Sequence, residues 1–171
     1  MALDDRGAVV LPGEGKTISF SATTFSGNQL RFVYADYAEP HSAHSLVEFV
    51  AAPGAPSTPL HFHRATDETC YVLEGTFGFQ IGEQTLEITE GAFVFVPKGV
   101  EHAFWNAATS SARLLFTVSP PGFERYFEEL AEGLATVGDD EEAAMSLREE
   151  LSEKYDIEVV GPPRGRLQAS R

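Results

Sequence analysis

The chain has 171 residues, of which 43% are hydrophobic, and a formal net charge of -14; that length buries one good core and has no room for two. So large a surplus of acid opposes attraction to phosphate backbones and anionic lipid, which excludes nucleic acid and membranes as expected partners. Residues 1–6 lack the basic start and apolar run of a signal peptide, no stretch approaches a membrane span, and Cys70 alone forms no intrachain disulfide, so the expectation is a cytoplasmic protein in a reducing compartment.

Residues 1–42 read as an extension carrying two strands. Ile18, Phe20 and Ala22 share one side of residues 16–22, and Leu30, Phe32 and Tyr34 share one side of residues 29–35, the period-2 signature of half-buried strands. His41 and His44 sit in a polar, turn-like stretch and are assigned to a surface loop. From 43 to 119, apolar runs recur between turn signals such as Pro53-Gly54, Glu74-Gly75, Gly82-Glu83 and Pro97-Lys98-Gly99, the rhythm of an antiparallel sandwich or barrel. Gly75, Gly91 and Gly99 fall at strand ends, where tight turns need positive φ.

After Pro120-Pro121 the period changes to that of a helix, with Phe123, Tyr126, Phe127, Leu130 and Leu134 on one line and Glu124, Glu128, Glu129 and Glu132 on other faces. A second helix is expected from Asp139, whose side chain can cap while Glu142 reaches back, with Ala144, Leu147, Leu151 and Tyr155 as its apolar line. Residues 121–160 hold 13 acidic and 3 basic side chains, so this segment supplies -10 of the -14 charge; a solvated helix face accounts for that run. The helical segment is bounded at 120–163, and residues 164–171, without apolar periodicity, read as a mobile tail.

Chemistry concentrates in two places. Residues i and i+2 of a strand point to one side, so His61 and His63 form a ready-made chelate. Glu68 follows, and His102 lies downstream in the segment Gly91–Asn106. Three imidazoles and one carboxylate suit a single divalent transition ion, whether iron, nickel, cobalt, manganese or zinc. Four protein ligands leave one or two open positions on a five- or six-coordinate ion, the mark of a catalytic site. Glu68 has a second role available, as the base that takes a proton from a substrate beside the metal; Asp67, one residue earlier, should face the other way. By the same parity Cys70 and Val72 share the face of Glu68, and Phe104 and Asn106 share that of His102, which makes these four the expected substrate pocket, with Trp105 facing away. Cys70 itself reads as a small buried hydrophobe.

These segments resemble the paired motifs of the cupins. The motif G-x5-P-x-G-x2-H-x3-N is matched by Gly91, Pro97, Gly99, His102 and Asn106, and H-x-H-x4-E-x6-G by His61, His63, Glu68 and Gly75. Six residues separate Gly54 from His61 where the family pattern has five, with Pro56 and Pro59 in the gap. The resemblance implies an all-β fold with appended helices: a cupin double-stranded β-helix barrel, jelly-roll-like, over 43–119, followed by the C-terminal α-helical segment. Phrases such as Ser119-Pro-Pro-Gly-Phe-Glu-Arg-Tyr-Phe and Lys154-Tyr-Asp-Ile-Glu-Val-Val-Gly-Pro-Pro163 extend the similarity to the quercetin-dioxygenase-like bacterial monocupins.

What that resemblance implies for function is oxidation of a flavonol or related enol by dioxygen, with the metal binding the substrate oxygen and Glu68 accepting the proton. Two alternatives stay open, because one fold hosts many chemistries. One is a non-oxidative isomerase, cyclase or lyase of specialised metabolism, and the other a small-molecule binding or sensing protein. A homodimer is the expected assembly, since exposed sheet edges invite pairing.

Overall fold

A computed structural model describes residues 2–3, 7–20, 27–34 and 43–164. The strands, in order, are β1 (Ala2–Leu3), β2 (Gly7–Ala8), β3 (Lys16–Ser19), β4 (Gln29–Tyr34), β5 (Ser45–Ala51), β6 (Leu60–His63), β7 (Asp67–Glu74), β8 (Thr76–Ile81), β9 (Gln84–Thr89), β10 (Phe93–Val96), β11 (His102–Asn106) and β12 (Ala112–Ser119). Helices α1 (Arg125–Val137) and α2 (Glu141–Lys154) follow, and then a last strand, β13 (Ile157–Gly161).

Apart from the short β1–β2 pair, the strands form two antiparallel sheets. One runs β10-β7-β12-β5-β4-β3 and the other β13-β6-β11-β8-β9. The alternation that predicts strands also decides which face is covered: along β12, Ala112, Leu114, Phe116 and Val118 are buried while Arg113, Leu115 and Thr117 are only half-buried. Opposite them the second sheet contributes Phe77 and Phe79, both essentially inaccessible. Each such side chain contributes about 1.5–3 kcal/mol on burial, and together they hold the sheets face to face. Where β7 turns into β8, Gly75 adopts φ 83° with Ala112 Cβ only 2.8 Å from where its own Cβ would lie, so any side chain there is excluded twice over.

The expected strands are present, ending at Ser19 and Tyr34, with Ala22 and residue 35 outside the described residues. His41 lies outside them too. His44 is exposed, with its ring 6.2 Å from that of Tyr34. Both helices form, with three differences from expectation. The cap of α2 is Asp140, not Asp139: Asp140 is the residue with extended backbone (ψ 100°), and its carboxylate accepts the N–H of Ala143. Glu124 is fully buried rather than solvated, because it precedes the helix proper and folds back to accept the N–H of Gly122 at 2.7 Å. And within the segment read as helical, residues 157–161 form β13, which pairs with β6. Arg164, the first residue of the expected tail, is tied by its backbone N–H to Gln80 Oε1 at 2.7 Å; residues 165–171 lie outside the described part. No described helix is long and apolar enough to cross a membrane.

Candidate metal centre

Strands β6 and β11 are neighbours, and the register sets His61 directly opposite His102. His63 is two residues along β6, on the same side. The three ligand nitrogens lie within 4.8 Å of one another, and all three rings are buried. The carboxylate comes from the other sheet: Glu68, near the start of β7, sets Oε1 3.2 Å from His63 Nε2 and Oε2 3.2 Å from His102 Nε2. One wall thus supplies nitrogen and the facing wall supplies oxygen. Asp67 points away, its carboxylate accepting the N–H of Lys98 at 2.8 Å.

Backbone carbonyls orient two of the rings. His61 Nδ1 lies 2.8 Å from Pro59 O, and His102 Nδ1 lies 2.9 Å from Val100 O. A carbonyl only accepts, so each Nδ1 carries the hydrogen, and the neutral ring presents its lone pair at Nε2. His63, 1% exposed, has no hydrogen-bond partner for either nitrogen, and His102 Nε2 has none either; the contacts to Glu68 are close but fall outside hydrogen-bond geometry. A buried polar atom left this way costs about 1–3 kcal/mol. A divalent cation would satisfy both orphaned Nε2 atoms at once, and the donor set of imidazoles with a carboxylate is one such ions accept. The residues present fit a metal.

Electrostatics agree with that fit. Burial, reinforced by the positive charge of neighbouring His102, pushes the His61 pKa down to about 3, so this ring stays neutral and able to ligate. For Glu68, burial favours the protonated form, but the His102 and His63 imidazoles outweigh it and hold the carboxyl well below its usual range. His102 is the converse: burial opposes its charge, yet Glu68 raises its pKa above the ordinary value. Burial, with the charge of Glu68, pushes the Cys70 thiol up, which leaves it neutral and unreactive.

Two of the donors, His61 and Glu68, line a cavity of about 30 Å³ whose other walls are Thr58, Cys70 and five phenylalanines, Phe49, Phe104, Phe116, Phe123 and Phe127. Of the four pocket positions expected from strand parity, Cys70 and Phe104 line it. Val72 and Asn106 do not. Each lies four residues from a donor, about 13 Å along the strand at 3.3 Å per residue. Val72 is packed in the core, and the Asn106 amide donates to the carbonyls of Ala51, Ala52 and Ser110 while its oxygen accepts from Ala108 N–H. Asn106 is a clasp between strand ends. Trp105 does face away, its indole packed over Gly78 so tightly that a Cβ there would come within 2.2 Å of the ring.

Five cavity residues lie outside the expected site: Phe49, Thr58, Phe116, Phe123 and Phe127. Thr58 accepts the Phe104 N–H at 3.0 Å, a tie across 46 residues that no local pattern announces. Phe123 sits with its ring 4.4 Å from that of His63; its helical spacing marked it as apolar, but not what it would cover. Together with Phe127 it brings the C-terminal segment onto the candidate site.

Residues 47–118 match the Cupin domain family. The chain carries a cupin domain. The fold agrees: the structure of a predicted oxalate decarboxylase from Thermotoga maritima superimposes with a TM-score of 0.56, at 23% identity, covering 66% of this chain and 98% of that one, which speaks for the cupin fold alone. In sequence, the chain is 29% identical to the tetracenomycin polyketide synthase protein TcmJ of Streptomyces glaucescens over 40% of its length and 46% of TcmJ. It is 32% identical to the protein SchB of Streptomyces halstedii over 35% of its length and 44% of SchB. The chain spans about half the length of the curated relatives it matches, between 44% and 53%.

Proposed function

We propose that this cupin is a metal-dependent enzyme acting on an enolisable, aromatic polyketide-like carbonyl compound, catalysing a non-oxidative isomerisation, cyclisation or lyase step. The observation that carries the reading is the convergence of His61, His63 and His102 from one sheet with Glu68 from the other, in a buried cavity walled by phenylalanine. The likeness to TcmJ, a polyketide synthase protein, supports the substrate class.

His61, His63, His102 and Glu68 would hold the ion. When bound, it supplies Lewis acidity that lowers the pKa of a substrate enol or phenol. The residues do the rest. Glu68, held ionised by its two imidazole neighbours, is the group in place to receive the substrate proton at a carboxylate oxygen. A carboxylate so firmly held is a weak base, so it works only on a substrate whose acidity has been raised. The phenylalanine wall excludes water and presents flat faces to a planar ring system. The cavity has about the liquid share of one water molecule, so admission of substrate requires side chains of its wall to move.

The test is turnover of an aryl 1,3-diketone or poly-β-ketone by metal-loaded protein under strict anaerobiosis. Product formed without oxygen, and lost in Glu68→Gln while bound metal is retained, is the expected result. An absolute oxygen requirement would instead move the reading to the dioxygenase that the motif resemblance implies, and recovery of unchanged ligand would leave a binding protein.

A further inference from the structure

A second concavity, far larger than the barrel cavity, lies between α2 and β13 and measures about 990 Å³. That is the size of a site for a small organic ligand. Met145, Arg148 and Ser152 line it from one face of α2, at spacings of three and four residues, with Val159 of β13 on the other side. Pro56, Pro59, Pro162 and Pro163 also line it, giving an apolar wall that cannot flex about φ.

Arg148 is the unexplained group. Its Nη1 donates to Ala144 O at 3.2 Å within its own helix, its Nε is buried without an acceptor, and among the described residues no carboxylate pairs with it. Arg64, the groove's other guanidinium, is already engaged by Asp156 and Glu158. Beside Arg148 stands Tyr126, buried, hydrogen-bonded to Ser152 and with its pKa raised by burial, so its hydroxyl keeps its proton. A guanidinium and two hydroxyls therefore sit together in the groove, and the buried Arg148 Nε is left without an acceptor from the protein. Glu149 and Glu153 stand exposed at the rim, and they repel molecules carrying several negative charges.

We propose that this groove binds a planar, largely apolar organic acid bearing a single carboxylate or phenolate, with Arg148 donating to that oxygen. Thr58 lines both the groove and the barrel cavity, and the Tyr126 ring in the groove wall stacks at 6.1 Å on the Phe123 ring that covers His63. Resting on the function proposed above, the groove is the outer station of the barrel's substrate.

The chain has two methionines, so ¹³C-methyl-methionine NMR reports on the groove through Met145, assigned with a Met145→Leu variant. Chelator-treated protein titrated with 2-naphthoate should show a saturable ring-current shift of the Met145 methyl. Arg148→Gln should weaken that binding by about tenfold or more, the cost of one charge-assisted hydrogen bond, and Val159→Glu, at an exposed position, should weaken it independently. The cation 2-naphthylmethylammonium should leave the signal in place. His63→Ala should abolish metal uptake and spare naphthoate binding, which separates failure of this site from failure of the barrel reading. A Met145 signal that does not move, that moves alike in Arg148→Gln, or that follows the cation as strongly would overturn the proposal.

Discussion

Two glutamates of the six-stranded sheet, Glu48 on β5 and Glu68 on β7, are each 6% exposed and each held between two basic side chains. Glu48 lies on the outer face, clamped by Arg31 and by Arg113, whose Nε donates to Oε1 at 2.9 Å. Glu68 lies on the inner face between His63 and His102. Both carboxyls are held below their usual range despite burial. The difference is in the partners. Guanidinium is always charged and offers only donors, so Glu48 can do nothing except stay where it is. A neutral imidazole carries a lone pair, so the arrangement around Glu68 has nitrogen to offer a cation as well as a carboxylate.

The largest expected effect separates the two sites outright: His102→Ala should reduce bound metal, by elemental analysis, from about one ion per chain to background, whereas Arg113→Ala should leave it unchanged. Next, Glu68→Gln should lower turnover by about 10²- to 10⁴-fold, as for loss of a general base, while Glu48→Gln should leave kcat intact. In denaturant unfolding the order reverses. Glu48→Gln should cost about 1–3 kcal/mol, below the full cost of breaking a buried pair because both arginines reach solvent.

The pH response sharpens the contrast further. Because the folded-state pKa of Glu48 is depressed, its contribution to stability is fully present above the unfolded carboxyl pKa of about 4.3 and fades as pH falls below it. The stability gap between wild type and Glu48→Gln should hold from about pH 8 to pH 5 and close under more acid conditions. Metal uptake, by contrast, should weaken across that same upper range, since the raised pKa of His102 lets a proton compete with the ion as pH falls. The smallest effect is expected at the surface: Arg64→Ala, which removes exposed pairs to Asp156 and Glu158, should shift stability by about 0–1 kcal/mol.

Of the two glutamates only Glu68 was legible in the sequence. Strand parity and motif spacing are short-range signals, and they suffice to put His61, His63, Glu68 and His102 into inward phase. Glu48 meets Arg31 and Arg113 across 17 and 65 residues, and such partners are fixed by register between strands, which no local pattern encodes. Parity also overreached: it says which face a residue occupies and not how far along the strand, so Val72 and Asn106 were grouped with residues about 13 Å away. The end of the chain was least legible, since residues 157–161, though largely β-branched, follow two helices and find their strand partner β6 nearly a hundred positions earlier.

That strand carries a consequence for biosynthesis. β13 pairs Ile157 with His63 and Val159 with His61, so this histidine pair is backed by residues made nearly a hundred positions later. Until position 161 has emerged from the ribosome, β6 presents a bare edge beside its histidines, open to wrong partners. Closure of the sheet around His61 and His63 is therefore a late event, completed only when the end of the described chain folds back onto β6.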